Sequence, residues 1–76
     1  MYPIMRRSDL PAILKDVRKE RGATQTEMSL ALGASCNRWG KWERGKEVPS
    51  RHYRKILWEM FGIRIMFGPH ADGGLE

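Results

Sequence analysis

The sequence predicts a small, mostly α-helical domain of four helices closed by a short terminal β-strand. Three observations carry that expectation. Apolar residues recur at helical spacing in two long segments, Leu10-Ile13-Leu14-Val17 and Tyr53-Ile56-Leu57-Met60-Phe61. Between them, Thr24 and Glu27 have capping-box spacing, in which each side chain satisfies a backbone donor of the other residue. Gly33 follows at the point where that helix must stop, since glycine reaches left-handed φ/ψ without steric cost.

The first helix opens at Asp9, read as its N-cap. Pro11 stands in the first turn, where a missing N–H is harmless, and Gly22 ends the helix. The second runs from about Gln25 to Leu32, with Met28 and Leu32 on its inner face. Ser35 is placed to cap the third, which ends near Arg44-Gly45. Pro49-Ser50 opens the fourth, with Ser50 as cap and Gly62 as stop. Two short helices joined by a tight glycine turn form a helix-turn-helix, a device that holds one helix out toward the DNA major groove.

The ends read differently. Ile63, Ile65 and Phe67 alternate with Arg64 and Met66, which predicts a strand. Residues 1–8 form an N-terminal arm or edge strand: Tyr2, Ile4 and Arg6 can supply a partner, with Pro3 limiting it to an edge. The segment 63–67 can instead pair with a second copy, and both options stay open. The folded unit is 9–67, and 68–76 reads as a disordered tail.

The chain has 76 residues and a single cysteine, Cys36, so no internal disulfide can form. No Cys/His set has metal-ligand spacing, and no cofactor is expected. No apolar run approaches a membrane span and no signal-peptide core appears, so the expectation is a cytoplasmic protein with no membrane partner. Cys36 has no evident histidine partner, and no phosphate-cradling glycine loop or carboxylate pair is present, so an enzyme is not expected.

Charge is concentrated. The whole chain carries +5. Seven basic residues against two acidic ones between Ser35 and Lys55 already give that full value. A basic stripe of this kind is an electrostatic footprint for a polyanion. At about 100° per residue, Cys36, Trp39, Trp42 and Glu43 fall on one side of the third helix. Asn37, Gly40, Lys41 and Arg44 fall on the other, with Arg38 at the border. Core packing of the tryptophans is preferred to base stacking. The opposite side offers groups that read base edges: asparagine pairs with adenine, and arginine or lysine with guanine. Gly40 costs about 1 kcal/mol inside a helix. It marks either a close approach to DNA or another backbone, or a short, irregular helix.

Leu14 to Ile63, about two-thirds of the chain, resembles the Cro/cI-type (Xre) helix-turn-helix family of transcriptional regulators, which have a lambda repressor-like fold. The residues that carry the resemblance are Val17-Arg18, Thr24-Gln25-Thr26-Glu27, Leu32-Gly33, Trp42-Glu43-Arg44-Gly45-Lys46, Pro49 and Phe61-Gly62-Ile63. The resemblance implies that Gln25 contacts a phosphate and braces the recognition helix. It implies that Cys36, Asn37 and Lys41 face bases, that Arg18 pairs with Glu43, and that Lys46 and Arg51 grip the backbone. Ser29 departs from the family's usual alanine and Met28 from leucine. Arg51 and Arg54 replace residues that are often apolar, and the tryptophans replace aliphatic ones. The expected function is sequence-specific binding of double-stranded DNA by a repressor, as a homodimer, with helix 36–44 in the major groove. The expected contacts are Gln25, Ser35, Cys36, Asn37, Arg38, Lys41, Arg44, Lys46 and Arg51. The alternative is a protein-interaction module, such as an antitoxin-like partner, on the same fold.

Overall fold

The computed structural model describes residues 2–67. Strand β1 (Tyr2–Ile4) leads through a 3-10 turn (Arg7–Asp9) into α1 (Leu10–Glu20). Then come α2 (Gln25–Ala31), α3 (Arg38–Glu43), α4 (Arg51–Phe61) and strand β2 (Ile63–Ile65). The fold is mostly helical, as the periodicity predicts. The reading of 68–76 as a tail lies outside the described residues.

Leu10, Leu14 and Val17 of α1 are buried, with Ile13 packed against them. Asp9 does not cap this helix. It already has helical φ/ψ as the last residue of the 3-10 turn, and the Leu10 N–H is taken by the Arg7 carbonyl. The Asp9 carboxylate therefore turns back to Arg6 Nε, 3.3 Å away.

The capping box of α2 forms as its spacing requires. Thr24 Oγ1 accepts from the Glu27 N–H at 3.0 Å, and Glu27 Oε1 accepts from the Thr24 N–H at 2.8 Å. The helix stops at Ala31, and Gly33 takes φ +73° to turn the chain.

The third helix is shorter than expected. It starts at Arg38, so Cys36 and Asn37 belong to the turn before it. Ser35 does not cap it. Its backbone carbonyl, not its hydroxyl, accepts from the Arg38 N–H, at 3.1 Å. The cap comes instead from the neighbouring helix: buried Ser29 Oγ accepts from the Trp39 N–H at 2.8 Å. A first-turn donor with no partner within its own helix is thus satisfied across the helix-helix contact.

Trp39 and Trp42 are core residues, as preferred from the sequence, at 0% and 1% exposure. The Trp39 ring lies 5.9 Å from both Trp42 and Phe61, and Trp42 lies 5.5 Å from Tyr53, in tilted or edge-on geometries. These offset arrangements are the favourable ones for aromatic pairs.

On α4, Leu57 is fully buried, and Tyr53, Ile56 and Phe61 pack against the core. Met60, expected on that stripe, is 47% exposed. The last turn seats Phe61 instead, between Trp39 and the Arg21 guanidinium, which lies 4.5 Å from its ring centre. Ser50 stands at the cap position, but its side chain makes no capping bond. The helix start is fixed by Arg54, whose Nε donates to the Pro49 carbonyl at 3.0 Å and Nη1 to the Phe67 carbonyl at 2.8 Å.

β1 and β2 pair in parallel, with Tyr2 opposite Ile63 and Ile4 opposite Ile65. Intrachain pairing is thus what the fold uses, and the four helices form the long crossover that parallel strands require. Tyr2 donates to the Gly62 carbonyl at 2.8 Å, and Ile4 accepts from the Met66 N–H at 2.7 Å. Pro3, between them, points its nitrogen away from β2, which is where an edge proline is tolerated. Ile4 and Ile63 are both fully buried, so Tyr2–Ile4 take the edge-strand role. The Tyr2 hydroxyl also donates to the Glu20 carboxylate at the end of α1.

Replacing Ser29 with alanine leaves the buried Trp39 N–H without an acceptor. The expected loss is about 1–3 kcal/mol, read as a lower urea midpoint at unchanged m-value. An unchanged midpoint would show that the cross-helix cap contributes nothing.

Candidate nucleic-acid interface

Any role for α3 depends on how firmly it is held. Its inner side ends in Glu43, whose side chain is 5% exposed. The carboxylate accepts from Arg18 Nε at 2.6 Å and Arg18 Nη2 at 3.2 Å. It also accepts from Gln25 Nε2 at 3.1 Å and Trp39 Nε1 at 2.6 Å. Arg18 belongs to α1, Gln25 to α2 and Trp39 to α3, so one side chain joins the three helices. Arg18 also donates through Nη1 to the Ala23 carbonyl, at 3.2 Å, in the α1–α2 turn. Burial pushes the Glu43 carboxyl up. The hydrogen bonds from Arg18, Gln25 and Trp39 outweigh it and hold the group below its ordinary value. The hydrogen bond to Glu43 in turn raises Arg18. The pairing implied by the family resemblance is therefore present, with Gln25 and Trp39 added to it.

Gly40 packs closely against Gln25 of α2. It is buried, and a Cβ there would stand 2.7 Å from Gln25 Oε1 and 3.1 Å from Arg44 Nη1. An alanine would gain about 1 kcal/mol of helix propensity. It would require the amide end of Gln25, the far end of a flexible side chain, to shift. The helix is also short, as the other reading of Gly40 anticipated.

The outer side presents most of the expected residues. Ser35, Cys36 and Asn37 are exposed in the turn before α3, with Cys36 Sγ donating to Asn37 Oδ1 at 3.1 Å. Lys41 lies one helical turn after Asn37, and its N–H donates to the Asn37 carbonyl at 3.2 Å. Arg44 at the end of α3, Lys46 in the following loop and Arg51 at the start of α4 are all exposed. They have no ion-pair partner among the described residues. Gln25 sits half-buried as a brace. Arg38, at the border of this side, is engaged: its Nη1 lies 2.9 Å from Glu47 Oε1 and its guanidinium 5.8 Å from the Tyr53 ring centre.

Ser29, Glu47 and Arg54 are the residues whose roles sequence reasoning missed. Ser29 carried a faint signal, a hydroxyl beside Met28 and Leu32 on the inner face of α2. Glu47 and Arg54 carried none, because their partners are set by tertiary contact.

Among the described residues there is no cluster of three or more His, Cys, Asp or Glu side chains that could hold a metal ion, and no helix is long and apolar enough to cross a membrane. A cleft of about 370 Å³ opens between the start of α1 and the α3–α4 loop, lined by Arg7, Leu10, Pro11, Gly45, Glu47 and Val48 among others. No protein-family model, no curated protein and no solved structure matches this chain.

Arg18→Ala strands a buried carboxylate, and breaking such a pair costs about 3–5 kcal/mol. A melting temperature within error of wild type would refute the burial argument. A pH series separates the charge from the packing. A carboxyl lowered in the folded state stabilises above its ordinary value, about 4.3 for glutamate, and that contribution is lost as pH falls through the folded value. Glu43→Gln should therefore be less stable than wild type at neutral pH, and its melting temperature should fall less steeply on acidification. Parallel curves would show that Glu43 does not carry the acid dependence.

Proposed function

We propose that the protein binds double-stranded DNA in a sequence-specific way and acts as a transcriptional repressor of the Cro/cI type, with residues 36–44 entering the major groove. One observation carries the reading. The inner side of α3 is fixed by two buried tryptophans and the Glu43 carboxylate, while its outer side and the following loop present Asn37, Lys41, Arg44, Lys46 and Arg51 to solvent. Rigid support on one side and exposed hydrogen-bonding cations on the other are what base-edge readout in a groove about 12 Å wide requires. Arg44, Lys46 and Arg51 have no carboxylate competing for them among the described residues, so phosphates are their natural counter-charge.

Asn37 and Lys41 are assigned to base edges, with Ser35, Cys36 and Arg38 flanking them. Lys46 and Arg51 are assigned to the phosphate backbone, joined by Arg44 and by Gln25, whose Nε2 carries a second N–H beyond the one given to Glu43. Two copies on half-sites about 34 Å apart complete the reading, since one such helix reads few base pairs. The exposed Leu30, Trp58 and Met60 favour the second reading, a protein-interaction module of the antitoxin-like kind.

Selection of duplexes from a random pool, followed by titration at several salt concentrations, tests the assignment. Each neutralised phosphate contributes about −0.9 to the log–log salt slope. Lys46→Ala and Arg51→Ala should weaken binding to every duplex alike and make the slope shallower by about one contact each. An unchanged slope for both would overturn their assignment, and absence of salt-dependent duplex binding would favour the protein-interaction reading. Two chains per selected duplex at equivalence are expected.

Asn37→Ala and Lys41→Ala should relax preference at one or two operator positions, at about 1–3 kcal/mol each. Weaker binding with preference intact would move them to the phosphates.

A further inference from the structure

Glu47 is the one acidic side chain drawn onto the outer side of α3 among the described residues. Its Oε1 lies 2.9 Å from Arg38 Nη1 and its Oε2 3.9 Å from Lys41 Nζ. All three side chains are about 40% exposed, and ion pairs in such a setting contribute little to stability. The fold does not need them: α3 is already held by Glu43, Trp39, Trp42 and the Ser29 cap. The effect of Glu47 is therefore on what α3 offers to an anion. The carboxylate neutralises two cations and repels a phosphate that approaches either of them.

The two contacts are unequal. Arg38 is held at hydrogen-bond distance and also faces the Tyr53 ring, whereas Lys41 has only the long contact. Lys41 can leave while Arg38 keeps Glu47 compensated. In a non-specific complex Lys41 meets phosphates only through loose, solvent-separated contacts, which compete poorly with Glu47. A base-edge acceptor that the correct site places at hydrogen-bond distance from Lys41 forms a directional, charge-assisted bond that offsets the loss of the Glu47 contact.

We propose that Glu47 determines specificity by competing within the molecule for Lys41 and Arg38, lowering sequence-independent affinity more than affinity for the correct site. This rests on the DNA-binding reading above and adds a regulator of that same surface. Suppressing wrong partners through a like charge is a general route to discrimination.

Glu47→Gln keeps the size and the hydrogen bond to Arg38 and removes the charge. Its affinity for random duplex should rise about tenfold at low salt, with a salt slope steeper by about one phosphate contact. Affinity for the selected duplex should rise several-fold less, so the ratio of selected to random binding falls, with the melting temperature unchanged. The variant should also elute from immobilised heparin at higher salt than wild type. In the Glu47→Gln, Lys41→Ala double variant, most of the gain should vanish. Unchanged heparin elution, or equal gains on both duplexes, would overturn the competitor role. Wild type that retains heparin binding but shows no preference among duplexes would instead overturn the DNA-recognition reading.

Discussion

The carboxylate of Glu43 lies almost out of solvent, with Arg18, Gln25 and Trp39 donating four N–H bonds to its two oxygens. A buried carboxylate without such partners would be costly, and with all of them it becomes a fixed point. Each donor arrives from a different helix, so α1 and α2 cannot shift without breaking bonds to α3. The tryptophans supply the apolar area on the same side, and Trp39 takes part in both roles through its ring and its indole N–H. Position and orientation of α3 therefore follow from one interaction set rather than from the turn that precedes it.

The α2–α3 contact shows how local sequence and tertiary packing divide the backbone accounting. A six-residue helix is nearly all ends, and most of its backbone donors and acceptors lack partners inside it. Ser29 meets one of these from the adjacent helix, and the absence of a side chain at Gly40 lets Gln25 come close enough to brace Glu43. Ser29 on the inner face of α2 and the glycine in mid-helix are thus two parts of one close approach. With the inner side of α3 occupied in this way, the residues left for solvent are Asn37, Lys41 and Arg44, continuing into Lys46 and Arg51.

At the far end of the domain, the termini are closed by a two-stranded parallel sheet. Ile4 and Ile63 join Leu14 and Leu57 in the buried core cluster, and Arg54 ties the start of α4 to Phe67, just after β2. The strand segment thereby becomes part of the core of its own chain. The apolar groups that remain exposed there are the methionines at the ends of the strands, Met5 and Met66, together with Trp58 and Met60 on α4.

Much of the fold was legible in the sequence by itself. Helical periodicity, the Thr24–Glu27 box, the glycine stops and the alternation after Gly62 all depend on residues within four or five positions of one another. Local backbone geometry fixes such patterns wherever the segment lies. The clustering of positive charge between Ser35 and Lys55 was legible for the same reason, and the Arg18–Glu43 pair was legible by resemblance. The caps read at Asp9 and Ser35 failed because a hydroxyl or carboxylate caps only if its own backbone is extended and the orphan donors are still free. Those conditions were set by a 3-10 turn and by Ser29, whereas Ser50 holds the cap position with extended backbone and its hydroxyl makes no capping bond. The parallel pairing of β1 with β2, the drawing of Arg38 and Lys41 to Glu47, and the brace from Gln25 past Gly40 were decided only by tertiary structure. A long polar side chain has many partners within reach, and the choice among them depends on which distant segment packing brings nearest.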